Sequence, residues 1–233
     1  MAKKRKARKS VRTRRRRFLR VLGWTALLGL AVSLLLVVPL RWIDPPTSAF
    51  MLRDRLDGVA VTQEWVDWVR IGSALPIAVV ASEDQKFPLH HGFDVESMQD
   101  ALAGGAGRGA STISQQVAKN LYLWRGRSWI RKGIEAWLTL LIEATWSKRR
   151  ILEVYLNIAE FGSGIYGVGA ATKHYFGLVP DRTSLEQAAR LAAVLPSPKR
   201  IDPTGGSEYV NKRAAWIVAQ VQDLGGFGYL AEI

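Results

Sequence analysis

Residues 83–92 read Glu-Asp-Gln-Lys-Phe-Pro-Leu-His-His-Gly. Two adjacent carboxylates close an apolar run, and a proline, two histidines and a glycine follow at once. Ahead of them, Pro76 suits the first turn of a helix whose buried body is Ile77, Ala78, Val79, Val80 and Ala81. Pro88 disfavours helix at Phe87 and stops the element. Glu83 therefore falls near the C-terminal end of a buried helix. Low polarity and the negative end of the helix dipole both disfavour its ionised form there, which is how a carboxylate becomes a base near neutral pH. A solvated helix end would carry the same two carboxylates, so these ten residues alone leave both readings open.

Outward from this stretch, charge is distributed unevenly. The chain of 233 residues has a formal charge of +13, but residues 1–20 hold 12 of the 33 Lys and Arg and no acid. The remainder has 21 basic against 20 acidic residues. The basicity belongs to a tail, and a nucleic-acid reading of the domain loses its support. With no cysteine, disulfides, thiolate nucleophiles and cysteine-held metals are excluded.

Val21 to Leu40 has no charged side chain; at ~1.5 Å per residue it covers the roughly 30 Å core of a bilayer. Trp24 near its start, and Arg41 and Trp42 at its close, read as interfacial anchors. A cleaved signal peptide has a shorter apolar region, so an uncleaved anchor is expected. The excess of positive charge before the span places the tail in the cytoplasm and everything after Trp42 outside. The expected organisation is a basic cytoplasmic tail (1–20), a transmembrane helix (21–41), a juxtamembrane connector (42–60) and a domain (61–233).

The domain reads as helices punctuated by glycine and proline, with no sustained period-2 alternation, and so as mainly α. Asp94 can cap a helix to about Ala103, and Gly104, Gly105, Gly107 and Gly109 follow as a mobile loop. The next helix begins at Ser111 or the residue before it. Thr112, Gln115 or Gln116, and Lys119 share one of its faces, a polar stripe suited to a cleft or to a partly exposed surface. Ser128, Ser147, the Ser184/Gln187 capping box and Ser207 start further helices, and Gly177 ends one. Arg127 precedes the Ser128 helix, Arg131 and Lys132 lie in its first turn, and Glu135 follows. Cations there oppose the helix dipole and suggest an anion between them; pairing of Arg131 with Glu135 is the structural alternative, which would use up one cation. Leu121 to Trp124, with Trp129, read equally as core or as a surface dipping into the bilayer. His90 and His91 beside a proline turn read as a hydrogen-bonded structural feature before a metal site.

Glu83-Asp84-x-x-Phe87-x-x-His90-x-Gly92 resembles the first signature of the glycosyltransferase family 51 peptidoglycan polymerases. Gly109-x-Ser111-Thr112-Ile113-x-Gln115-Gln116-x-x-Lys119-Asn120 is similar to the second, and Arg131-Lys132-x-x-Glu135 to the third. Lys148-x-x-Ile151-Leu152-Glu153-x-Tyr155-Leu156-Asn157 resembles the fourth. Arg190 to Pro198 is similar to the fifth, which closes on Asp202-Pro203 where the family pattern has Asn-Pro.

The resemblance implies a lysozyme-like helical glycosyltransferase domain behind one membrane anchor, in the monofunctional form that carries no penicillin-binding-type domain. It implies polymerisation of lipid II into β-1,4-linked glycan with inversion and release of undecaprenyl pyrophosphate, at the bacterial inner membrane with the domain outside. Glu83 matches the family's base, and Glu135 its second carboxylate, which we read as orienting the cations and the substrate. Lys119 and Arg127 match positions that act on the donor pyrophosphate. Arg131, Lys132, Gln115, Gln116, Ser111, Thr112, Asp84 and His90 are implied to line the substrate site. Glu153 is expected to be structural. Partners implied are lipid II, the growing strand, the bilayer and other cell-wall synthesis or division proteins, but no nucleic acid. No metal site or required cofactor is expected; a divalent cation (Mg2+ or Mn2+) can share the pyrophosphate charge, with Asp84 or Glu83 as possible ligands, though no ligand cluster demands one. A weakly basic leaving pyrophosphate needs positive charge and no acid. A glycoside hydrolase on a similar helical fold needs a protonated acid and no four-cation cluster, which favours synthesis over a muramidase or lytic reading. A non-catalytic scaffold would not need the carboxylates and cations together.

Overall fold

The computed structural model describes residues 2–102 and 111–233. The glycine run at 104–109, and the mobile loop expected there, lie outside them, as do the side chains of the tail through residue 16. Helix α1 (Ala2–Val37) continues into a 3-10 turn (Val38–Arg41), and within it Arg17–Arg41 is long and apolar enough to cross a membrane. Helix α2 (Ala49–Leu56) follows, then β1 (Thr62–Gln63), α3 (Ala74–Glu83), α4 (Val95–Leu102) and α5 (Ile113–Tyr122). Helices α6 (Trp129–Thr145) and α7 (Lys148–Ile158) lead to strands β2 (Glu160–Gly162) and β3 (Ile165–Tyr166). Helices α8 (Gly167–Phe176), α9 (Leu185–Val194) and α10 (Glu208–Asp223) complete the domain, with a last 3-10 turn at Gly226–Leu230.

The mainly α expectation holds, and the caps are those the sequence gives: Ser128, Ser147, Ser184 and Ser207 each accept a backbone N–H from three residues on. Gly177 takes the left-handed conformation that stops α8. Asp94 accepts from the Ser97 N–H at the start of α4. Helix α5 begins later than expected, at Ile113. Thr112 is its N-cap, because Gln115 N–H donates to Thr112 Oγ1 while the Gln115 side chain reaches back to the Thr112 N–H. The sequence reading also missed a small sheet of order β1-β3-β2, with β1 parallel and β2 antiparallel to β3. Strands of two or three residues are too short to show a period.

Two groups of helices meet at the site. Helix α3 is apolar on every side, as a fully buried helix must be, and packs against α9 and α10. Ala188, Ala189, Ala192 and Ala193 of α9 are buried and small enough for close approach. The second group is α5 with α6 and α7. Asn157 of α7 ties it to the chain ahead of α3, accepting from the Val66 N–H at 2.8 Å and donating to the Val66 carbonyl at 2.9 Å.

The anchor is joined to the domain by polar side chains. Trp137 Nε1 donates to Ser33 Oγ, Tyr122 Oη to the Leu36 carbonyl and Trp146 Nε1 to the Val37 carbonyl. Arg150 donates to the carbonyls of Leu40 and Ile43 and pairs with Asp44. From Ser48 on, the expected connector is itself folded onto the domain. Asp54, 1% exposed, binds Arg125 and Lys199 and accepts from Tyr166 Oη at 2.6 Å. Nothing near Asp54 in sequence announces partners 71 and 145 residues away.

Candidate active site

The end of α3 delivers Glu83 and Asp84 in opposite directions. Asp84 turns inward: its carboxylate meets His90 Nε2 at 2.9 and 3.0 Å and accepts the Ile113 N–H at 2.9 Å. The Gly92 N–H donates to His90 Nδ1, which leaves the ring proton on Nε2, facing Asp84. Gly92 has φ +87°, and a Cβ there would lie 2.9 Å from side-chain atoms of both Thr139 and Glu143. Thr112 Oγ1 donates to the Gly92 carbonyl at 2.7 Å. This stretch is thus sewn onto the first turn of α5, and the structural reading of His90 is the one the geometry gives.

Glu83 faces α5. Its Oε2 accepts from Gln116 Nε2 at 2.9 Å, and Gln116 Oε1 in turn accepts from the buried Tyr155 Oη at 3.1 Å. This fixes the amide so that its NH2 points at the carboxylate. Part of Glu83 stays accessible, yet protein surrounds the carboxyl on most sides, and burial pushes its pKa up from the ordinary glutamate value. The Gln116 hydrogen bond and the charges of Arg213 and Lys119 oppose that rise, while Asp84 adds to it.

Of the expected polar stripe on α5, only part faces the cleft. Thr112 and Gln115 are buried and spend their side chains on the capping box, whereas Gln116 and Lys119 are open. Ser111 lies just ahead of the cap, partly exposed. Burial lowers the Lys119 pKa; Glu135 and Glu83 act to raise it and Arg131 and Lys132 to lower it, so all four charges reach this one ammonium. Among the described residues Lys119 forms no ion pair, and its ammonium lies over the Phe50 ring, 5.9 Å from the centroid.

The start of α6 supplies the opposite wall. Glu135, 2% exposed, binds Arg131 and Lys132 together. The expected pairing therefore takes up two cations and not one, because i,i+3 and i,i+4 both reach the same carboxylate. Arg131 Nε is buried and has no hydrogen-bond partner among the described residues. Arg127 is exposed and makes no ion pair among the described residues. Arg125, by contrast, belongs to the Asp54 and Glu160 network. Glu153 accepts from the Trp68 N–H and pairs with Arg150, the structural role expected of it.

Glu83 and Lys119 thus lie close enough for their charges to act on each other, in a chain whose N-terminal helix is long and apolar enough to cross a membrane. The transglycosylase family model matches residues 52–222, and the chain belongs to that family. Curated relatives called biosynthetic peptidoglycan transglycosylase agree along nearly the whole chain. That of Xanthomonas campestris pv. campestris strain B100 is 52% identical over 228 residues, covering 93% of each protein. That of Pseudomonas aeruginosa PAO1 is 49% identical over 94% of this chain and 97% of its own.

Proposed function

We infer that the protein is a peptidoglycan glycosyltransferase that polymerises lipid II. The observation that carries this reading is the placement of charge: Glu83 is held by the neutral Gln116 amide, while Lys119, close enough to feel Glu83 and Glu135, forms no ion pair among the described residues. The family assignment and the names of the relatives support it. In the reaction, the 4-hydroxyl of the acceptor sugar attacks C1 of the donor, and Glu83 takes the hydroxyl proton as the new C–O bond forms. The bond from C1 to the phosphate oxygen breaks on the opposite face, which inverts the carbon. Undecaprenyl pyrophosphate leaves with the electron pair, toward Lys119 and Arg127.

In this reading Arg131 and Lys132, both paired with Glu135, keep a net positive charge between them and set the shape of the anion site, and Asp84 with His90 holds the end of α3 in register with α5. No step is routed through a metal; among the described residues no group of three or more His, Asp or Glu side chains is placed to hold one. A divalent ion accompanying the pyrophosphate would sit on phosphate oxygens.

The apolar span, the positive tail before it and the collar from Ser33 to Asp44 support a single-pass inner-membrane protein with the domain outside. The outer face of α6 carries Trp129 (93% exposed), Ile130 and Leu140. A groove of about 830 Å³ between α1 and α6, lined by Leu28, Val32, Ile134 and Trp137, suits a lipid chain. The test is incubation of the purified protein with labelled lipid II in detergent, with products resolved by size. Lysozyme-sensitive polymer is expected. Release of soluble muropeptides from intact sacculi, without polymer, would overturn the reading.

A further inference from the structure

Helix α2 turns two side chains toward cations of α5 and the loop after it. Phe50 and Asp54 are four residues apart and so share one face of the helix. The Phe50 ring centroid lies 5.9 Å from the Lys119 ammonium and 4.9 Å from the Arg125 guanidinium. Asp54 accepts from both Nη atoms of Arg125, at 2.5 and 3.2 Å, and from Lys199 Nζ at 2.9 and 3.0 Å, while Tyr166 Oη also donates to it. At the start of the helix, Ser48 accepts the Met51 N–H and Met51 is buried. The helix is therefore fixed at both ends, and the Phe50 ring is carried with it.

Lys119 differs from its cationic neighbours in what holds it. Arg131 and Lys132 rest on Glu135, and Arg125 rests on Asp54 and Glu160. The Lys119 ammonium makes no hydrogen bond or ion pair among the described residues, although it is buried deeply enough to lower its pKa. A lysine carries its charge on a flexible four-carbon stem, which does not by itself hold the ammonium in one position. A carboxylate would fix it but would also cancel the charge that an arriving anion needs. An aromatic face attracts a cation within about 6 Å of its centroid and neither neutralises it nor takes its proton.

We propose that Phe50 is a positioning residue for the transfer step: its ring holds the Lys119 ammonium in place, still charged, for the leaving pyrophosphate. Asp54, by binding Arg125 and Lys199, keeps α2 and the ring where they are. This rests on Lys119 being a cation that meets the pyrophosphate. None of the five sequence motifs contains Phe50, which lies in the stretch that reads from sequence as a connector.

The test measures kcat/KM for lipid II polymerisation by the full chain. The variants are Phe50→Leu, pentafluorophenylalanine in place of Phe50, Lys119→Gln, and Phe50→Leu combined with Lys119→Gln. Phe50→Leu is expected to lower kcat/KM about three- to tenfold. The fluorinated ring keeps the shape of phenylalanine but loses its negative face, so it is expected to show a loss of the same size. In the Lys119→Gln background, Phe50→Leu is expected to cost less than about twofold further, because both changes remove the same interaction. A wild-type rate with the fluorinated ring, or full additivity with Lys119→Gln, overturns the proposal, since a ring that only fills space would give both. Should Phe50→Leu show no folding transition, the fluorinated ring alone decides. Wild-type activity in Lys119→Gln overturns the assignment of Lys119 itself. A defective Lys119→Gln beside a wild-type fluorinated variant overturns only the role of Phe50.

Discussion

Glu83 and Glu135 both act on the Lys119 ammonium and are treated oppositely by the fold. Glu135 comes with its countercharges on its own helix, Arg131 and Lys132 one turn before it. Glu83 sits at the end of an apolar helix, and among the described residues its carboxylate is met by a neutral amide, Gln116 of α5. A carboxylate largely surrounded by protein and held by a neutral amide gains from a proton, and burial raises the pKa of Glu83 accordingly. On the proposed reading, two identical side chains are separated into an orienting role and a proton-accepting role by their neighbours.

The sharpest way to break this comparison is to neutralise each carboxylate in turn. Glu83→Gln is expected to lower kcat by ~10² to 10⁴, the range for loss of a general base. It should also raise Tm at neutral pH. The folded value of Glu83 lies above its unfolded one, so the folded state binds more protons, and its stability falls as pH rises through the folded value. Ionised Glu83 is therefore a cost that glutamine removes. Glu135→Gln should do the reverse to stability. It strips the shared partner from two cations and should cost roughly 3 kcal/mol, toward the low end for a buried pair because Lys132 is partly solvated. Thermal melts of both variants at one pH check the pair, and a fall in Tm for Glu83→Gln would erase the distinction.

A second substitution sharpens the cationic side. Lys119→Gln should reduce kcat/KM for lipid II by about 10², the scale for removing one preorganised charge from a leaving group. An effect below about threefold would take Lys119 away from the pyrophosphate. The smallest effect is reserved for a residue that the sequence places in the site and the structure places beneath it. Thr112→Ala should cost about 1 kcal/mol of stability through the lost cap and leave kcat within a few fold.

Much of this arrangement was legible in the sequence because its cues are local. Ser128, Ser147, Ser184 with Gln187, Ser207 and Gly177 mark helix ends by chemistry that acts within three or four residues, and each sits where that chemistry predicts. The apolar run before Glu83 announced a buried helix, and the membrane span announced itself by length. What could not be read depends on distance along the chain. Gln115 and Gln116 are equivalent in sequence, and only the placing of α5 beside the end of α3 decides that Gln116 meets Glu83 while Gln115 closes the cap. The Asp54 network brings residues 125, 160, 166 and 199 to one carboxylate or its partners, and α10 brings Arg213 to Ser82 across 131 positions. Short-range patterns carry no trace of such encounters.

The measurement that tests the account most directly is the titration of the Glu83 carboxyl itself. Carbon-13 detection of glutamate carboxyls in the full chain, with the signal assigned by its disappearance in Glu83→Gln, follows this one group through pH. The account predicts protonation at a pH clearly above that of an ordinary glutamate. Titration at or below the ordinary value would contradict it, and would leave the cleft without the proton acceptor on which its division of labour depends.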